Sequence, residues 1–405
     1  MREMRDSGVE WLGELPAEWE LSRLGTLYAT RNCKVSDEDY APLSVTMGGV
    51  VPQLSHVAKS DDHANRKLVQ KGDFVINSRS DRRNSCGFAP SDGSVSLINT
   101  VCIPRSGFDS RYFGYLFDSE QWADEFYSWG HGIVADLWTT SWNEMKRIML
   151  PVPPLDEQQR IADYLDAKCA EIDRAIEAAE KSIKEYESYR RSLVTYGTTC
   201  KRTSKRVRLR NLCSRIFDGP FGSHLKSTDY IDEGIRVVRL ENLKYMRFDD
   251  SKQSFISHEK YKTISRHTVT PDDLIMATFV AKEVQVVELP SYVEFAVNKA
   301  DCVGLRLNGI ACKRFVQYAL SSNAVLGYLQ GQLHGTTRGR VNTSQIKTIP
   351  LALPPLDEQR RIVDYLDDKC VQIDRAIAAK QAIIADLKAY KQSLIYEVVT
   401  GKREV

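Results

Sequence analysis

The sequence predicts a mixed α/β protein in which one plan occurs twice: two tandem α/β domains, each followed by a long helix, with the two helices pairing as an antiparallel coiled coil. Three observations predict it. Leu150 to Val194 aligns without gaps on Leu351 to Ile395 at an offset of 201 residues, with about 25 of 45 positions identical. Both segments read as continuous helix, because apolar residues recur at 4/3 spacing and neither Gly nor Pro interrupts them for about 40 residues. The stretch before each one carries short β-rich runs separated by turn signals, and one helical stretch.

Taken in chain order, residues 1–152 form the first α/β domain, with strands expected at 73–79 and 95–103 and a helix over 110–129. Residues 153–196 are the first long helix. Pro153-Pro154 cannot continue a preceding helix, Asp156 suits the N-cap, and Glu157 places negative charge at the positive end of the dipole. Its apolar seam runs through Leu165, Cys169, Ile172, Ile176, Ala179, Ile183, Tyr186 and Leu193. The basic, polar stretch 197–211 reads as a linker. Residues 212–353 form the second domain, with strands at 235–243 and 273–280 and a helix near 312–329. Weaker matches at nearly the same offset tie the domains together: Lys71–Ile76 with Pro271–Met276, Cys102 with Cys302, and Met145-Lys146 with Ile346-Lys347. The second long helix, 354–399, carries the seam Leu366, Cys370, Ile373, Ile377, Ile384, Leu387 and Leu394, and a tail, 400–405, follows. A seam this narrow on a helix of ~60 Å needs a partner helix, and the economical partner is the other copy.

The composition, 42% hydrophobic and 27% charged over 405 residues, excludes a disordered, collagen-like or disulfide-stapled chain. A polar start and the lack of a long apolar run lead to the expectation of a soluble, cytoplasmic protein. Nine cysteines without a CxxC pair favour reduced thiols over disulfides or zinc. The net charge of +2 hides a segregation: residues 195–350 hold 24 Lys and Arg against 14 Asp and Glu. Phosphate-binding GxxxxGK[ST], dinucleotide GxGxxG, HExxH, a base-holding Asn/Asp-Pro-Pro-aromatic motif and a nuclease-type carboxylate pair with Lys are all missing, so no catalytic role or metal site is expected. Adjacent carboxylates at each helix start suit capping better than acid–base chemistry.

Recognition remains, and nucleic acid is the polymer that such basic, hydroxyl- and amide-rich loops suit. In the second domain the candidates are Phe221, Ser223 and Lys226 of the Asp218-Gly219-Pro220-Phe221-Gly222-Ser223 region, Arg239 and Asn242, and Thr336, Thr337, Arg338, Arg340 and Asn342. In the first they are Arg79, Arg82, Arg83 and Asn84, with His131, Thr139, Thr140 and Ser141. The first domain lacks the basic residues of the Gly335–Thr343 stretch, so its arginine cluster at 79–83 stands in for them.

Two Pro-Pro-Leu-Asp-Glu-Gln-x-Arg-Ile helix starts, each closing a variable α/β domain, resemble the specificity (S) subunit of type I restriction-modification systems. The opening Glu10-Trp11-Leu12-Gly13-Glu14-Leu15-Pro16 with Trp19, the Asp218–Ser223 run followed by Asp229-Tyr230, and Gly335-Thr336-Thr337-Arg338 are similar to stretches of that family. The resemblance implies a non-catalytic subunit with two target-recognition domains, each reading one half of an asymmetric bipartite site in double-stranded DNA. It implies helices that fix the spacer and dock two methyltransferase subunits, with two restriction subunits in the full assembly. S-adenosylmethionine, ATP and Mg²⁺ would then sit on those partners. The rival readings are a stand-alone nuclease or methyltransferase and a coiled-coil scaffold without DNA function.

Overall fold

A computed structural model describes residues 2–54, 65–79, 83–105, 107–132, 138–199, 204–222, 224–333 and 339–405. Two compact units compose the chain, Met1–Ala179 with Ala382–Val405 and Glu180–Gln381. The first long helix runs Leu155–Thr199 and the second Leu356–Val399, so each unit holds half of each.

The same sheet is built twice. In the first unit the spatial order is Cys86–Phe88, Phe74–Asn77, Asn99–Pro104, Tyr28–Thr30; in the second it is Val286–Glu288, Leu274–Ala277, Cys302–Leu307, Cys213–Asp218, all antiparallel. The strands Phe74–Asn77 and Leu274–Ala277 are buried along their whole length, because both faces are covered. Phe74 and Ile76 pack with the helical layer, while Val75 and its cross-strand neighbour Val101 face a second sheet through Val69 and Val95. Leu274 and Met276, against Ile275 and Ala277, repeat the division.

The helical layer differs from the sequence reading. Each expected single helix is two: Ser110–Phe117 with Glu120–Ser128, and Lys313–Leu320 with Asn323–Gln330. The breaks fall at Ser119 and Ser322, whose hydroxyls accept from the backbone N–H of Trp122 and Val325 and start the second helix of each pair. The expected linker is also largely ordered. Lys205–Arg208 is a strand paired with Pro350–Leu353, as Glu20–Arg23 pairs with Met149–Val152, so in each α/β domain an early strand pairs with the one that leads into the long helix.

The long helices run antiparallel. In the first unit Ile161, Leu165, Cys169 and Ile172, from the start of the first helix, pack with Leu394, Ile395, Val398 and Val399 from the end of the second. In the second unit Val194, near the end of the first helix, packs with Ile362, Val363, Leu366 and Cys370, near the start of the second. Lys391–Asp173 and Arg190–Asp374, both 2.7 Å, pair the helices at repeat-equivalent positions. Of the expected seam, Leu165, Ile172, Leu366, Ile373 and Leu394 are buried, whereas Ile176, Ile183, Leu193, Ile377 and Ile384 are half-buried. A two-helix seam leaves its flanks open.

Asp156 is not the N-cap. Leu155 is already helical, the Pro154 carbonyl accepts from the N–H of Gln158, and Asp156 pairs instead with Arg160 one turn on. The residue that fastens the helix start is Gln158. Its amide donates to the Pro153 carbonyl at 2.8 Å and accepts from the N–H of Asp109, the N-cap of Ser110–Phe117, at 2.9 Å. Gln359 repeats both bonds at 2.8 Å, to the Pro354 carbonyl and from the N–H of Cys312, the N-cap of Lys313–Leu320. Both glutamines are 1% exposed. Replacing either with Leu strands a buried donor and acceptor, so chemical denaturation of the full chain should show a loss of about 2–4 kcal/mol. Asp156→Ala, which removes only a surface pair, should leave the midpoint unchanged.

Candidate nucleic-acid interface

In the second unit the predicted residues gather around the segment Asn298–Asp301. The end of the strand Cys213–Asp218 turns into Gly219, where an added Cβ would lie 2.2 Å from the Asn298 carbonyl oxygen. The backbones therefore touch there, and only glycine fits. Opposite, Phe279 and Arg340 form an isolated bridge; the N–H of Val280 donates to the Gly339 carbonyl at 2.7 Å and that of Val341 to Thr278 at 2.8 Å. A Cβ on Gly339 would lie 2.6 Å from the Val280 carbonyl, so this approach too depends on glycine. The result is a cleft of about 280 Å³ whose walls include Phe221, Thr278, Ala300, Arg340 and Asn342.

Arg340 pairs with Asp301 at 2.9 Å, and its guanidinium stands 5.9 Å from the centroid of Phe279. A second cleft, of about 480 Å³, is lined by the same segment and brings Arg239 together with Lys244, Lys299 and Asp301. Arg239 and Lys299 both approach the ring of Tyr230, at 5.6 and 5.3 Å. Phe221 and Lys226 are exposed. Asn242 is not: at 1% exposure its carbonyl accepts from the N–H of Arg239 and its amide donates to Asp249 and Lys252, so it braces the loop that carries Arg239. Asn342 caps the helix Thr343–Lys347 in a reciprocal pair with Gln345. Ser223, Thr336, Thr337 and Arg338 lie outside the described residues, as does Arg82.

In the first unit Arg79 bridges Thr139, and Thr139 bridges His131, so three predicted residues share one small ladder. Thr140 is buried, its hydroxyl donating to the Phe126 carbonyl at 2.9 Å. Ser141 caps the helix Trp142–Met145. Arg83 pairs with Asp124 of the helical layer, and Asn84 takes a left-handed φ of 60° in the turn before Cys86–Phe88. The arginine cluster therefore divides: Arg79 joins the ladder, and Arg83 and Asn84 do not.

Sequence reasoning missed Lys299, Asp301 and Thr278. The repeat held a signal for Thr278, which aligns with Ser78 beside Arg79; the sequence pairing of Cys302 with Cys102 is out of register in the sheets, where Cys302 corresponds to Asn99, so it gave none for Asp301. Burial shapes the ionisation of nearby groups. It pushes the Cys302 thiol up and holds the His267 imidazole, bonded to the Asp218 carbonyl, below its ordinary value. The described cysteines are free thiols, Cys86, Cys102, Cys169, Cys302 and Cys370 among them buried. Among the described residues no group of His, Cys, Asp and Glu is placed to hold a metal ion, and no helix is long and apolar enough to cross a membrane.

The glycine contacts predict an unequal pair. Gly219→Ala should lower the thermal midpoint by several degrees, whereas Gly222→Ala, whose Cβ meets nothing within 4 Å, should not.

Comparison with known proteins places this architecture. Residues 251–389 match the family model described as the type I restriction modification DNA specificity domain. The chain is 20% identical over 279 residues, 64% of its length, to the type I restriction enzyme MjaVIII specificity subunit of Methanocaldococcus jannaschii. It is 22% identical over 173 residues, 42% of its length, to the type I restriction enzyme EcoKI specificity subunit of Escherichia coli K12. The matched stretches cover 63% and 37% of those two relatives, less than two thirds of either. A solved chain described under the words "Structural basis underlying complex assembly and conformational transition of the type I R-M system" shares the fold, with a TM-score of 0.70 over 96% of this chain and 99% of that one at 18% identity. With its domain and helix each built twice, and the matching segment lying across the second domain and second helix, the chain is similar to type I restriction-modification specificity subunits and shares their fold.

Proposed function

We propose that this chain is the DNA-reading subunit of a type I restriction-modification complex. The observation that carries the reading is the duplication itself: two sheets of identical strand order, each presenting divergent loops at an equivalent edge, beside two similar long helices. A reader of one continuous site needs one such edge; two divergent edges suit two different half-sites. Each unit reads one half of an asymmetric bipartite site in double-stranded DNA. The helix pair sets the spacer and docks two methyltransferase subunits, and two restriction subunits join the full assembly. Chemistry belongs to those partners, which would hold S-adenosylmethionine, ATP and Mg²⁺, and the complex works in the cytoplasm, where the chromosome lies. The excess of basic residues in 195–350 supports a larger share of phosphate attraction for the second unit.

Sequencing of methylated sites in cells with and without this gene tests the reading: a bipartite motif that depends on the gene is expected, and its absence overturns the proposal. Exchanging residues 1–150 for those of a relative should alter one half-site and leave the other. A heptad inserted at paired positions in both helices, lengthening each by ~10 Å, should change the spacer or abolish methylation; an unchanged spacer refutes the ruler. Lys226→Ala should weaken binding by the assembled complex about equally on all sequences and lower its salt dependence by about one phosphate contact.

A further inference from the structure

The two units place an isolated β-bridge at the same point of the same fold. Arg340 faces Phe279 in the second unit, and Thr139 faces Arg79 in the first. The flanks fix the equivalence. Val341 donates to the Thr278 carbonyl as Thr140 donates to Ser78, and Asn342 and Ser141 both cap the short helix that follows. Residues 279 and 79 therefore correspond, as do 340 and 139. Both bridges carry one arginine, and it stands on opposite strands.

We propose that this bridge is the base-reading position of each unit and that its arginine reads a guanine, Arg340 in one half-site and Arg79 in the other. The inference rests on the DNA-reading function above and names the residues that supply its specificity. A guanidinium offers donors in a fixed plane, and guanine alone presents two acceptors, O6 and N7, side by side in the major groove; adenine sets a donor beside its N7. The surroundings of Arg340 separate base reading from phosphate contact. A phosphate contact works best with full positive charge, and a carboxylate 2.9 Å away removes much of it. Base reading needs the plane held, and Asp301 with the Phe279 ring holds it. The Asp301 pair engages one of five donors, the side chain is 46% exposed, and it lines the cleft between Phe221 and Thr278. In the first unit the contacts fix the backbone from which Arg79 projects: its main-chain N–H bonds the Asn77 side chain at 3.0 Å, and Thr139 bridges it from across.

The test is methylated-site sequencing of the complex of this chain with its methyltransferase subunits, carrying Arg340→Ala, Arg340→Lys or Arg79→Ala. Arg340→Ala should relax discrimination roughly tenfold to hundredfold at one base pair of one half-site, a guanine in the wild-type motif, with the other half-site and the spacer intact. Arg79→Ala should do the same in the other half-site. Arg340→Lys keeps the charge but not the planar fork, and should relax the same base pair. A wild-type pattern from Arg340→Lys identifies a phosphate contact and overturns the proposal, as does relaxation at a position that is not guanine or an unchanged motif from both alanine variants. A wild-type complex that yields no bipartite motif sinks the DNA-reading function itself, a separate outcome from an intact motif that ignores these substitutions.

Discussion

Gln158 and Gln359 each join three pieces of chain through one buried amide. The donor end holds the carbonyl of the Pro-Pro turn, the acceptor end takes an N–H that the neighbouring short helix cannot satisfy internally, and the side chain springs from the first turn of the long helix. Around this joint the repeat adds a second tie. Arg111 and Tyr115 bond Asp166 in the first unit, and Arg314 and Tyr318 bond Asp367 in the second, with the two phenols donating at 2.7 and 2.6 Å. The short helices so anchored cover one face of each sheet, and the sheets carry the loops of the interface at their edges. Loss of the amide would loosen one of the ties between the long helix and the helical layer that covers the strands Phe74–Asn77 and Leu274–Ala277.

The interface is built by close backbone approach more than by side-chain packing. Gly219 and Gly339 let the chain come within van der Waals limits of Asn298 and Val280, which sets Arg340, Asp301 and Lys299 around one segment. The corresponding edge of the first unit keeps the bridge and cannot form that ion pair, since Ile98 occupies the place of Asp301: the N–H of Ser78 bonds the Ile98 carbonyl as that of Thr278 bonds the Asp301 carbonyl. The scaffold is thus held constant by main-chain hydrogen bonds while the groups it presents differ in charge and shape.

Legibility in the sequence followed the physical range of each interaction. The repeat, the helix lengths and the seam at Leu165, Ile172, Leu366 and Leu394 depend on local periodicity, and they were readable. The helix start was readable as a motif but not in its working: Asp156 looked like the cap, and Gln158 acts through partners that lie 49 residues away in sequence at Asp109. Polar residues in loops misled for the opposite reason. Thr140 and Asn242 have the chemistry of base contacts, yet turns leave carbonyl and N–H groups that only such side chains satisfy, and both are consumed there. Asp301 stayed hidden because its meaning comes from Arg340, which reaches it only through the fold.

The glutamine joint touches its neighbours only at main-chain atoms: the N–H of Asp109 or Cys312 and the carbonyls of Pro153 or Pro354. Every residue except proline offers that N–H, so the joint is blind to side-chain identity on the variable side. Asp109 and Cys312 already show this, sharing neither charge, shape nor chemistry. Substitutions can accumulate in the presenting loops without a compensating change at the helix start, and the helix start can stay fixed without constraining them. The two parts of each repeat are free to keep separate mutational histories within one polypeptide, and the contrast between recognisably similar helices and divergent domains is the record that such uncoupling leaves.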